Sequence, residues 1–127
     1  MSVTMTIPGL PPTSNSRLGA HVVGGKARLH RSKGASSWQS TVGAYGRLAM
    51  GRRPLIAERV EVRLVFRVGP LRRRDVDAGV KDTLDGLTGA VLTDDRLVRV
   101  LSVELEDVGS ADDESTAVTV EALGCAL

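Results

Sequence analysis

Hydrophobic positions recur along this chain with two different periods, and the changes of period mark its elements. Residues 59–68, RVEVRLVFRV, alternate without a break. Val60, Val62, Leu64, Phe66 and Val68 fall on one side, with Arg59, Glu61, Arg63 and Arg67 on the other. A period of two over that length predicts a strand with a buried face and a mostly arginine outer face. Shorter β-branched runs predict strands over 3–7 (VTMTI), 97–105 (LVRVLSVEL) and 116–123 (TAVTVEAL).

Elsewhere the period lengthens. Trp38, Val42, Tyr45 and Leu48 or Ala49 stand at i, i+4, i+7 and i+10 or i+11. That spacing predicts a helix through WQSTVGAYGRLAM, capped by Ser36 or Ser37 and ended by Gly51 and Pro54. Val76, Val80, Leu84 and Leu87 form a second stripe, predicting a helix from Asp75 or Asp77 to about Leu87. PGLPPTSNSR reads as a loop. Residues 18–35 are Gly-rich and basic, with His21 and His30, and read as a flexible basic loop, either a hairpin or a disordered arm. The order is β-α-β-α-β-β, a single α+β domain pairing a sheet with two main helices.

Composition narrows the class. The chain has 127 residues, enough for one domain with its own core. A single cysteine, Cys125, excludes an internal disulfide and any thiolate-rich zinc site, and suits a reducing cytoplasm. No apolar run approaches the ~20 residues of a membrane span, and MSVTMTIPGL lacks the pattern of a secretory signal. A soluble cytoplasmic protein is expected.

The net charge of +2 conceals an asymmetry. Residues 1–74 hold 14 Lys and Arg against two acids, Glu58 and Glu61, a balance of +12. Residues 75–127 hold 3 against 13, a balance of −10. A basic half points to a polyanionic partner, nucleic acid first. The alternative is that basic and acidic surfaces pair within the fold or across an oligomer. With Trp38, Tyr45 and Phe66 as the only aromatics, base stacking is poorly supplied, so phosphate contacts must dominate any nucleic-acid binding.

The two halves meet in RRRDVDAGVKDTLDGLTGAVLTDD, residues 72–95. Asp75 and Asp77 offer two carboxylates on backbone that is not yet regular helix. Asp94 and Asp95 follow the helix, and a returning chain brings Asp75, Asp77 and Asp95 around one site. Hard divalent cations want such oxygen ligands, and clustered carboxylates repel one another without a cation. Each residue also has a structural reading. Asp77 is a good N-cap, Lys81 pairs with Asp77 and Asp85 at four-residue steps, and Asp94-Asp95 is an ordinary loop feature.

The same run resembles the signature segment of the RusA family of Holliday junction resolvases. There a basic turn leads to Asp-x-Asp-Asn, a lysine, a helix and an Asp-Asp pair before a strand. The strand leading into PPTSNSR is similar to the family's opening. The resemblance implies one RusA-like domain over 1–127 with a mixed sheet. It implies a Mg²⁺-dependent endonuclease, with Mn²⁺ as a substitute, that cuts branched DNA as a homodimer without a further small-molecule cofactor. It also suggests phage or prophage origin. It assigns catalysis to Asp75, Asp77, Lys81 and Asp95, with metal held by Asp75, Asp77, Asp95 and Asp94. The DNA-binding set is Arg72, Arg73 and Arg74 with Asn15, Arg17, Arg63 and Arg67. Two departures stand out: Ala78 replaces the family's asparagine, and the segment from Leu87 to the acidic pair is one residue short. A non-catalytic branched-DNA-binding protein with a degenerate site is therefore the rival reading. A haloacid-dehalogenase-like phosphatase is a poorer one, because 127 residues without a βαβ repeat leave no room for that fold.

Overall fold

The computed structural model describes residues 1–13, 18–23, 26–31 and 33–124. Its centre is β4, Val60–Val68, whose odd and even positions separate as the alternation requires. Val60, Val62, Leu64 and Phe66 are at most 1% exposed. β6, Ser115–Ala122, runs antiparallel on one side and stacks Val118 and Val120 beside Leu64 and Val62. β1, Ser2–Pro8, pairs antiparallel with β6 and completes that flank with Val3, Met5 and Ile7 facing inward. On the other side β5, Val98–Asp107, runs parallel to β4. A parallel neighbour needs a long crossover, here residues 69–97. The four-strand sheet is mixed, in the order β1-β6-β4-β5.

α1, Lys33–Met50, lies across β1 and against the crossover helix α2, Val80–Leu87. It buries Ala35, Trp38, Val42 and Met50. Ala49 rather than Leu48 continues this face, because Leu48 is 79% exposed. Glycine sets the helix spacing: a Cβ on Gly86 would come within 2.7 Å of the Val42 Cβ. In that close seam Trp38 Nε1 donates to Thr83 Oγ1 at 3.0 Å, and Gln39 Nε2 donates to Asp82 Oδ1 at 3.2 Å. Both bonds satisfy polar atoms that helix packing takes out of water.

The predicted α+β order holds, and of the two alternatives for 18–35 the hairpin is found: β2 (Leu18–Val23) pairs antiparallel with β3 (Lys26–Arg31). Three element boundaries differ. α1 begins at Lys33, ahead of Ser36 and Ser37, and its early Ala35 is fully buried. α2 begins at Val80 rather than at Asp75 or Asp77. Gly79 takes φ +80° there, a left-handed conformation that helix cannot continue through. Val76 thus lies outside the helix and is 47% exposed, so the apolar stripe reduces to Val80, Leu84 and Leu87. β5 extends past 105 to Asp107. No helix among the described residues is long and apolar enough to cross a membrane.

Candidate active site

The crossover from β4 to β5 carries the acidic and basic residues singled out above. After Val68 the chain turns at Gly69, whose N–H donates to Glu114 Oε2 at 2.9 Å. A Cβ on Gly69 would lie 2.9 Å from that same oxygen and 3.2 Å from the Ala111 Cα, so a side chain here would push the Glu114 carboxylate aside. Arg72 Nε reaches Glu114 Oε2 at 3.2 Å. A cavity of about 430 Å³ opens here, lined in part by Leu71, Arg72, Arg73 and Glu114.

The three consecutive arginines have three different surroundings. Arg72 is paired with Glu114. Arg73 is exposed and forms no ion pair among the described residues. Arg74 turns inward, where Nη2 donates to the Pro11 carbonyl at 2.7 Å and to the Ala78 carbonyl at 3.1 Å. Its guanidinium carbon lies 5.6 Å from the centroid of the Phe66 ring. Burial, and next the charge of Arg72, lower the Arg74 pKa against the opposing pull of Glu114.

Asp75 and Asp77 follow on two successive turns, closed by Ala78 N–H to the Asp75 carbonyl at 3.1 Å and Val80 N–H to the Asp77 carbonyl at 3.2 Å. Both side chains are exposed, with no hydrogen bond or salt bridge among the described residues. Asp77 does not cap α2; the cap position is Gly79, without a side-chain bond. At the second residue of α2, Lys81 Nζ meets Asp85 Oδ1 at 3.0 Å and Asp95 Oδ2 at 2.8 Å. Donating to those two carboxylates, Asp95 first, raises the Lys81 pKa, and the bond accepted from Lys81 lowers that of Asp95.

Asp94 and Asp95 open a single 3₁₀ turn, Asp95–Leu97, just before β5. Asp94 Oδ1 accepts from Arg96 N–H at 2.9 Å and so caps that turn itself. The crossover brings Lys81 to Asp95 but does not gather three carboxylates. No group of three or more His, Cys, Asp or Glu arranged for a metal occurs among the described residues.

On the sheet face opposite the helices, Arg63 pairs with Glu61 at 3.1 Å, which raises the Arg63 pKa. Arg67 pairs with Glu106 at 3.4 Å and donates to Ser115 Oγ at 3.1 Å. The basic and acidic halves therefore meet partly within the fold, across β4–β5 and at Arg72–Glu114. Asn15 and Arg17 lie outside the described residues, as do the side chains of His21 and His30.

In a comparison with known families, endodeoxyribonuclease RusA matches residues 8–121, a span that includes this crossover. The chain belongs to the RusA family. No curated protein matches it. RusA proteins are endodeoxyribonucleases that act on branched DNA junctions, so this RusA chain is a DNA-binding nuclease of recombination.

Sequence reasoning missed three parts of the site. Glu114 is 45 residues from Gly69 in sequence, and no local signal links them. Pro11 lies 63 residues from Arg74. Asp85 was visible as a four-residue partner of Lys81 but not as part of the site.

Proposed function

We propose that this RusA chain hydrolyses phosphodiester bonds in four-way junctions with Mg²⁺, or Mn²⁺ in its place, as a cytoplasmic homodimer making paired cuts. The supporting observation is the display of Asp75 and Asp77, exposed and unpartnered among the described residues, in the turns just before the helix that carries the Lys81–Asp95 pair. Mg²⁺ takes one or two carboxylates and fills its remaining positions with water and phosphate oxygens. Asp75 and Asp77 fit that need, while Asp94 and Asp95, on the return of the crossover, are engaged by the Arg96 backbone N–H and by Lys81. The bound ion would supply an activated water and stabilisation of the leaving oxygen.

The remaining roles belong to the chain itself. Lys81 is a fixed cation, its charge secured by two carboxylates, and it offsets charge on the scissile phosphate. Arg73, exposed at the tip of the turn, contacts flanking phosphate. Arg72, Arg63 and Arg67 contact DNA in this reading, and Asn15 and Arg17, outside the described residues, complete the DNA-binding set.

For the dimer, β5 is the supporting element. It is an edge strand exposed on both faces, with Val100, Leu101 and Leu105 open to solvent. Arg99 sits at one end and Glu104, Glu106 and Asp107 at the other. Two-fold antiparallel pairing of β5 centred near Val103 sets Arg99 opposite the partner's Asp107, so the strand is complementary to itself.

The test is a synthetic four-way junction incubated with and without Mg²⁺. Mg²⁺-dependent paired nicking is the expected result. Binding without nicking at any pH selects the non-catalytic reading, and equal cleavage of plain duplex removes junction selectivity. Leu101→Asp in β5 shifts the mass in solution from dimer to monomer; an unchanged mass rules out this interface.

A further inference from the structure

We infer that Arg74 is a positioning residue, an internal anchor that sets the turn carrying Asp75 and Asp77 rather than a contact to DNA. The inference rests on the reading of that turn as the metal-binding element. Arg74 is the residue immediately before the two carboxylates, yet its guanidinium points away from them into the protein. One nitrogen, Nη2, joins two separate stretches of backbone: the Pro11 carbonyl beyond β1 and the Ala78 carbonyl in the turn. The ring of Phe66, fully buried in β4, lies under the same guanidinium. The anchor therefore ties the turn to the exit of one edge strand and to the central strand together.

The other side of the joint is as tight. A Cβ on Gly79 would fall 2.3 Å from Pro11 Cγ and 2.4 Å from Pro11 Cβ, and 3.2 Å from Arg74 Nη2. Pro11 thus rests directly on Gly79, and the left-handed backbone there is available to glycine without strain. Ala78 is buried and has no polar side chain with which to fix the turn, so the hold on its backbone falls to Arg74.

Keeping this arginine inside is costly. Nε and Nη1 are buried without a partner among the described residues. An apolar side chain of similar length would avoid that desolvation. What the guanidinium supplies, and an apolar chain does not, is a donor shared by two carbonyls. It converts a two-turn segment with glycine at its end into a fixed platform for two carboxylates. Ligand orientation by such supporting contacts typically changes metal affinity or activity 10- to 100-fold.

The experiment measures Mn²⁺ binding to the full chain without DNA, by calorimetry or electron paramagnetic resonance. Thermal unfolding, junction cleavage and the salt dependence of junction binding are measured alongside it. Arg74→Met is expected to weaken Mn²⁺ binding and lower kcat by roughly 10- to 100-fold. KM and the salt slope stay at the parent values, since no phosphate contact is lost. Arg74→Lys, which retains a cation and a donor, recovers part of both losses. A folded Arg74→Met protein with unaltered Mn²⁺ affinity overturns the inference, and so does a salt slope smaller by about one, the mark of a lost phosphate contact. If Arg74→Met does not fold, Gly79→Ala displaces the same turn against Pro11 and is read the same way; unaltered Mn²⁺ affinity then overturns the inference. Absence of Mn²⁺ binding by the unsubstituted chain overturns instead the metal-site reading beneath it.

Discussion

The two acidic pairs of the crossover are held in opposite ways. Asp75 and Asp77 sit at the surface without a partner among the described residues, while the backbone beneath them is anchored from inside, through Arg74, Pro11 and Gly79. Asp94 and Asp95 are held at the surface by their own side chains, one capping its 3₁₀ turn and the other bonded to Lys81. A buried anchor resists salt and pH but fails when its packing changes. A surface pair tolerates packing changes but is screened by salt. Among the described residues the first pair therefore has no protein partner to release, which suits the ligand role proposed for it.

The comparison predicts unequal responses to substitution. The largest effect is on chemistry at the free pair. Asp75→Asn or Asp77→Asn lowers single-turnover cleavage by at least about 10³-fold while junction binding persists. Parental rates in either variant remove that residue from the site. Lys81→Met comes next, with cleavage lower by about 10²-fold and an unfolding midpoint nearly unchanged, since the pair is solvent-exposed. A large loss of stability would show that the surface pair is structural.

For stability the ranking reverses. Gly79→Ala forces a Cβ against Pro11 in a left-handed backbone and costs about 1–3 kcal/mol in denaturant unfolding. Asp94→Ala removes only a one-turn cap and costs about 0.5–1 kcal/mol. Equal costs would erase the distinction between the two anchors.

The smallest effects concern pH and salt. Asp95 is held below its ordinary 3.8 and Lys81 above its ordinary 10.5. The Asp95 contribution is present above its unfolded value and lost as pH falls through the lower folded one. The Lys81 contribution is present below its unfolded value and lost as pH rises through the higher folded one. The stability difference between the parent and Lys81→Met is thus flat from about pH 5 to about pH 9; a slope inside that window contradicts the pairing. Arg73→Ala reduces the salt slope of junction binding by about one, whereas Arg74→Met does not.

Much of this was legible along the chain. β4 was plain because five alternate residues, Val60 to Val68, all needed the same side of a sheet. The acidic run holding Asp75, Asp77, Lys81 and Asp95 was visible in the chain, but the choice of those four came from the resemblance to RusA. Local chemistry alone left each with a structural reading. The start of α2 was misjudged because the Val76 spacing continued a helical stripe that Gly79 interrupts, and spacing carries no information about φ. The triple arginine was opaque for a related reason. Three identical side chains in a row take their directions from the path of a turn, and only that path separates Arg72 on Glu114, Arg73 in solvent and Arg74 on Pro11.

By itself the sequence determined the strands of the main sheet, the bodies of the two helices and which residues carry charge, because periodicity and composition act through neighbours a few positions apart. Tertiary structure alone decided which of those charges remain available. Glu114 reaches Arg72 across 42 residues, Glu106 reaches Arg67 across β4–β5, and Pro11 reaches Arg74 across 63. Such pairings depend on the order of strands in the sheet and on the close approach at Gly79. No local pattern encodes either, since both arise only when distant segments share one core.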